Sequence, residues 1–307
     1  MLINKVIPTL LVFAFAIGLP VIYNDESHVM RESVDAANHS QSENSTGLYI
    51  QTFIDDNEVS RDDVLRWEAR RIQVVKKRLQ EGLMSLLKQE AMNFLFSPEV
   101  SIDNIVAERE ALVQTKIGMS HDERIKLVSS ETAIAGAVTL FLLKALSGFT
   151  SSSIHMKSNR GTAEGFRKWY LSKISDEKVM LQACPDHYAL GTAFNLGQDV
   201  VETTGGSVLP SHFAINYEAQ SDLPIVDVEN YPVQFNGPAY GHGTETVIGG
   251  TNHVMRSLPN NGGFEIVPKV FFPSSVPTYL LEQHRWHLAT EWGNWITAYI
   301  NDKVDNE

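Results

Sequence analysis

The sequence predicts an α+β protein: an N-terminal helical region, then a curved antiparallel β-sheet or partial barrel closed by a long C-terminal helix. Three observations carry this. Apolar residues recur at helical spacing between residues 60 and 149. After residue 178, short apolar runs follow one another with Gly, Pro and Asn between them and no helical pattern intervening, which implies an antiparallel sheet. Residues 278–300 then form one amphipathic helical pattern. The chain divides accordingly into a targeting segment (1–23), a linker (24–58), the helical region (59–150), a second linker with a short helix (151–178) and the β domain with its C-terminal helix (179–307).

Met1–Lys5 carries one Lys, Val6–Ile22 is almost wholly apolar, and Asp25 and Glu26 end the run. That is the pattern of a secretory signal or of a single N-terminal membrane anchor, so the bulk of the chain is expected outside the cytoplasm, secreted or membrane-anchored. Ala16 and Gly18 suit a cleavage site, but Pro20 stands just beyond, and the sequence leaves cleavage open. Residues 24–58 have the polar composition of a flexible linker and contain two glycosylation sequons, at Asn38 and Asn44.

Ser60-Arg61-Asp62-Asp63 starts the first helix, and Leu65, Ile72, Leu79, Leu83 and Leu86 continue it to about Phe96, before Ser97-Pro98. Ile102 to Val113 suggests a second helix, and Ser120-His121-Asp122-Glu123 starts a third. The apolar stretch Ala133–Phe149 is expected to be a helix buried in a bundle, with a membrane hairpin as the alternative. Residues 147–161 are rich in Ser and Gly and mark the best internal boundary, and Thr162–Ile174 forms a short helix.

Predicted strands are Val179–Cys184, His187–Phe194, Asp199–Thr204, His212–Tyr217, Tyr231–Phe235, Thr244–Val247, His253–Leu258 and Phe264–Phe272. Gly237-Pro238 and Gly249-Gly250 are taken as breaks between them, and Pro259–Gly263 is the clearest hairpin signal. In the last helix Leu281, Leu288, Trp292, Trp295 and Tyr299 share a face.

The formal net charge is −12, yet residues 181–307 hold 14 acids, only four bases (Arg256, Lys269, Arg285, Lys303) and six of the ten histidines. This excludes an extended nucleic-acid surface. It also leaves any buried carboxylate there to be protonated, hydrogen-bonded, paired with His or bound to a metal. The single cysteine, Cys184, excludes a disulfide framework. Hydrolase elbow, zinc-protease and Walker signatures are absent.

At 100° per residue, His284, His287, Glu291 and Asn294 form a polar ridge beside the aromatic stripe of the last helix. A Glu beside His can fix its tautomer and raise its basicity, so His284, His287 and Glu291 are the candidate catalytic residues. His187, His253, Asn294 and Trp292 are the candidate ligand contacts. No residue is assigned to a metal, and no cofactor is named. Cys184 is read as a small buried hydrophobe, and Glu202-Thr203-Thr204-Gly205-Gly206 as an ordinary strand end.

The first functional expectation is a C-terminal pocket for a small, largely apolar molecule, with His-based acid–base chemistry if it is an enzyme. The alternatives are a non-catalytic binding or assembly module and a His/Glu metal-dependent enzyme. The expected partners are a small molecule and, through an uncleaved N-terminal segment, a membrane; the oligomeric state is left open.

Overall fold

The structure is a computed structural model. It describes residues 47–82, 100–145, 148–192, 197–205, 207, 209–217, 219, 223 and 229–304. The targeting segment, both sequons and the predicted continuation of the first helix from Leu83 to Phe96 lie outside the described residues. Residues Thr46–Glu307 form one unit.

The chain starts with β1 (Ile50–Ile54) and β2 (Asn57–Val59), a hairpin whose turn places Asp55 and Asp56 at positive φ. These residues correct the reading of 24–58 as linker throughout. Helix α1 (Arg61–Glu81) begins where expected: the Ser60 hydroxyl accepts from the Asp63 amide at 3.1 Å. Helix α2 is Ile105–Ile117, α3 is His121–Leu127 and α4 is Ser129–Ala145. A complete capping box, Ser120 with Glu123, starts α3.

The expected boundary at 147–161 is instead two strands, β3 (Phe149–Ser153) and β4 (His155–Ser158). Their Ser-rich sequence hides a ladder: β3 pairs with a late strand, and β4 lies between β1 and another. Helix α5 is Ala163–Lys173, capped by Thr162. Residues 177–183 form helix α6 (Glu177–Ala183), not the predicted strand from Val179. Asp176 accepts from the Val179 amide, and Glu, Lys, Met, Leu, Gln and Ala are all good helix formers.

Strands β5 (His187–Thr192), β6 (Gln198–Glu202), β7 (Ser211–Ile215), β8 (Val233–Gly241) and β9 (Val247–Ser257) follow as an antiparallel meander. The Pro259–Asn261 turn leads into β10 (Phe264–Val267), and β11 is Lys269–Pro273. Both glycine breaks prove to be inside strands. A Cβ on Gly249 would strike the carbonyl oxygen of Phe271, so glycine there permits close strand approach rather than ending the strand.

The described strands form an open antiparallel sheet of eleven, ordered β2-β1-β4-β10-β9-β8-β7-β6-β5, with β11 joining β9 to β3. Pro268 has no N–H and divides β10 from β11, while the Ile154 amide opposite donates to the Pro268 carbonyl at 3.2 Å. The chain closes with α7 (Thr278–Val304). Its predicted face is buried: Leu281 is covered, and Leu288, Trp292, Trp295 and Tyr299 pack with Phe166 and Tyr170 of α5 and with Phe235, Met255 and Phe264 of the sheet. Helix α1 packs on α7, with its buried Arg71 and Arg78 facing inward.

Helix α4 departs from the expected bundle. It lies against β7, β9 and β11, and Phe141 is 65% exposed. Among the described residues no single helix is long and apolar enough to cross a membrane; α3 and α4 reach that length and character only as a pair bent by 63°.

Leu288→Ala should lower the free energy of unfolding by about 2–5 kcal/mol in urea denaturation. Phe141→Ala should change it by no more than about 0.5 kcal/mol. A loss at Phe141 as large as that at Leu288 would place this face of α4 in an interior.

Candidate functional site

Three elements meet where α6 turns into β5. The turn is Cys184-Pro185-Asp186, and the His187 amide donates back to the Cys184 carbonyl at 3.3 Å. His187 then stands opposite Glu202 of β6, so both side chains lie on one face of the sheet. The register shifts immediately afterwards, between His187 and Ala189, the kind of irregularity that re-aims a side chain. Helix α7 supplies His284, His287 and Glu291, spaced by three and four residues along one stripe. Gly205, at φ +22°, lets the end of β6 lie on this helix: a Cβ there would come within 2.6 Å of the His284 Cα.

Asp186 anchors the group. It is buried and takes both Arg71 Nε (2.9 Å to Oδ2) and Arg71 Nη2 (2.7 Å to Oδ1), and it accepts from the Thr203 hydroxyl at 2.5 Å. Burial alone would raise its pKa, but Arg71 and His287 hold it well below the usual carboxylate range. The Lys116 ammonium, also buried, donates to the carbonyls of Pro185 (2.7 Å) and His187 (2.5 Å) and so clamps the turn. Burial lowers its pKa to about 7.

Acidic groups surround His287. Its Nδ1 is 3.6 Å from Cys184 Sγ and 3.8 Å from Asp186 Oδ2, and its Nε2 is 3.9 Å from Glu202 Oε2. Burial lowers an imidazole pKa, but Cys184, Glu202 and Asp186 outweigh that and hold His287 well above its ordinary value. Burial pushes the Cys184 thiol up to about 11. Burial also raises the Glu202 carboxyl, against the pull of His287 and His187. The His284 ring stacks on His287 with centroids 5.2 Å apart, and burial holds its pKa well below the ordinary value. The His187 Nδ1 lies 2.8 Å from the Met180 carbonyl, and its Nε2 faces Glu291 Oε1 at 3.3 Å and Glu202 Oε2 at 3.5 Å.

The structure thus brings His284, His287, Glu291 and His187 together. His253, on β9, is buried beside them: it accepts from the Lys269 amide at 3.2 Å, and its ring lies 4.7 Å from Trp292. Trp292 belongs to the aromatic core with Phe166, Tyr170 and Trp295. The amide of Asn294 is engaged by the protein itself. It accepts from Arg61 at 2.9 Å and donates to the Ala183 carbonyl at 2.9 Å and to Glu68 at 3.3 Å, tying α7 to α1 and α6.

Sequence reasoning missed Asp186 and Arg71 and undervalued Glu202 and Cys184. A turn separates Cys184 from His187, and both approach His287. The scarcity of bases in residues 181–307 was the one signal that buried carboxylates there would meet imidazoles.

A second cluster lies on the outer part of the sheet. Asp199 Oδ1 is 3.0 Å from His212 Nε2, and His242 stacks on His212. His121, held by Glu177 at 2.8 Å, approaches Asp199 at 3.9 Å.

No protein-family model matches the chain, and neither does any curated protein.

Asp186→Asn should cost about 3–5 kcal/mol of stability, because it leaves the Arg71 guanidinium buried without its charge partner. Adding Arg71→Met should recover part of that loss in the same denaturation series. A single substitution that costs nothing would mean that the pair is solvated.

Burial lowers His253 to about 4, with His284 and Glu291 facing it from α7. The ordinary imidazole value is about 6.5. Between the two, the unfolded chain binds the proton and the folded chain does not. Stability is therefore full above about pH 6.5 and falls as the pH drops toward 4. His253→Gln should flatten this limb by up to about 1.4 kcal/mol per pH unit in denaturation curves taken across that range. An unchanged slope would mean that His253 takes up its proton in the folded state.

Proposed function

We propose that this is an exported or membrane-tethered protein whose sheet and C-terminal helix hold a small, largely apolar molecule against a buried histidine–carboxylate centre. His287 is the proton carrier of that centre. The observation that carries this reading is its surroundings: Asp186 on the Nδ1 side, itself held by Arg71, and Glu202 on the Nε2 side. A carboxylate behind one ring nitrogen orients the imidazole and stabilises its charged form, while the other nitrogen is left to exchange a proton. His287 serves as the acid that gives a proton to the bound molecule, and Glu202 or Glu291 accepts the proton that the molecule releases. Aromatic and apolar side chains adjoin the polar groups: Trp295 beside His187, Trp67 beside His287, and Phe272 beside His284. Apolar walls with a few convergent polar groups suit a small organic ligand. Export rests on the apolar segment Val6–Ile22 and on the polar stretch with two sequons behind it.

Native mass spectrometry of the full chain, followed by small-molecule analysis of whatever is released on denaturation, tests this. The expected result is one organic molecule per chain, lost in His287→Gln and Glu291→Gln. Retention in both variants would move the ligand away from this centre. If nothing is released and the chain shows no saturable uptake of a neutral apolar dye such as Nile red, the unit is a non-catalytic binding or assembly module.

A further inference from the structure

The His187 ring turns a buried nitrogen that makes no hydrogen bond toward two carboxylates. The Met180 carbonyl can only accept, so the nitrogen facing it, Nδ1, carries the hydrogen. In the neutral ring Nε2 is then a bare lone pair. It is buried, makes no hydrogen bond, and faces two carboxylate oxygens at 3.3 and 3.5 Å. In that state the lone pairs of one nitrogen and two oxygens converge, and the nearest cationic group, His287, reaches only the Glu202 oxygen, at 3.9 Å. Among the described residues no Lys or Arg forms an ion pair with Glu202 or Glu291: Arg71 is committed to Asp186, and Lys116 to two carbonyls. His284 adds a second buried imidazole nitrogen, Nδ1, that makes no hydrogen bond.

We propose that this centre holds one divalent first-row transition-metal ion, ligated by His187, His284, His287 and Glu202, with Glu291 beside it. Donor atoms of Glu202, His284 and His287 all lie within 4.8 Å of one another. His187 Nε2 and His287 Nε2 approach the same Glu202 oxygen, at 3.5 and 3.9 Å. Metal–ligand bonds of about 2.1 Å in tetrahedral geometry put neighbouring donors about 3.4 Å apart, so the His187–Glu202 separation already suits one ion and the His287 and His284 rings would close in by roughly 0.5 Å or more on binding. The supporting contacts match as well. A ligating imidazole usually donates its other nitrogen to a carbonyl or carboxylate, as His187 does to Met180 and as Asp186 is placed to accept behind His287. Cys184, whose sulfur also lies within 4.8 Å of donor atoms of His187 and His287, approaches the rear, Nδ1 side of His287 and is left out of the set. Three imidazoles with a carboxylate suit Zn(II), Mn(II), Fe(II) or Co(II), not the all-oxygen sites of Ca(II) or Mg(II). An ion there would balance the charges of Glu202 and Glu291 and release the proton of His287, while the Arg71–Asp186 pair behind it stays in place.

The proposal rests on the function proposed above and on the same centre, and alters it in one respect: the ion takes the place of the proton on His287 Nε2, so that with the ion bound the proton carrier is Glu291. Metal content and ligand retention are measured separately, so either can fail alone. The full chain, purified without chelator, is subjected to elemental analysis; after chelator dialysis it is titrated with Zn(II), Mn(II) and Co(II), the last followed by its visible spectrum. The expected result is one ion per chain, with imidazole nitrogen ligation in the Co(II) spectrum. His187→Gln and Glu202→Gln should each weaken uptake by more than the roughly 10–100-fold that follows loss of a supporting partner. A wild-type chain that holds no ion and takes up none of the three overturns the proposal without recourse to any variant. So does an ion that survives both substitutions, or one that is lost instead in the His212→Gln, His242→Gln double variant of the outer cluster.

Discussion

The ion pair of Arg71 with Asp186 is the constraint on which the interior depends. It joins the middle of α1 to the turn between α6 and β5, and the Thr203 hydroxyl brings in the end of β6. Two charges leave water together, and the cost is met by geometry: a two-pronged guanidinium contact, a hydroxyl donor and complete exclusion of solvent. Once Asp186 is held there as an anion, His287 of α7 has a fixed partner, and His187 and Glu202 are placed by the strands on either side of it. Lys116 reinforces the same turn from α2 by holding its carbonyls.

A shortage of cations runs through the second half of the chain. With four bases against 14 acids after residue 180, its interior carboxylates are met by imidazoles or by basic residues from elsewhere, except Glu265, which pairs with Arg256 of the same half. Arg71 and Lys116 come from the helices before residue 150, so the helical part supplies the charge that the sheet part lacks. Within the helical part itself, Arg109 of α2 closes on buried Glu68 of α1, and Arg78 pairs with Glu131 of α4 while donating to Tyr188 of β5. The Arg71 and Lys116 contacts are a physical reason why helices and sheet form one unit: the helical part supplies the cations that a buried carboxylate and carbonyls of the second half require.

The elements that the sequence misassigned share a cause. Strands β3 and β4 are Ser-rich and lack apolar alternation, because their ladder partners and not their own side chains specify them. Glycines at 237, 249 and 250 looked like breaks, yet they lie within long strands where neighbouring backbone leaves no room for a side chain. Helix α6 was hidden because Val179 to Cys184 is apolar enough for a strand, and only the Asp176 cap distinguishes the two. In each case the deciding partner lies far away in sequence or in a single capping bond.

The sequence by itself determined the elements whose signal is local. The Ser60, Ser120 and Thr162 helix starts, the hairpin at Pro259–Gly263 and the aromatic face of the last helix all follow from propensity, capping and periodicity. It also placed His284, His287 and Glu291 on one stripe, since helical spacing alone does that. Only the tertiary structure decided that the stripe faces inward, that Asn294 and Trp292 are taken up in packing, and that Glu202, Asp186 and Cys184 join the histidines. Register is the reason: His187 and Glu202 share a face because β5 and β6 pair at that residue and shift just after it, and a slip of one residue would turn every side chain of the strand to the opposite face.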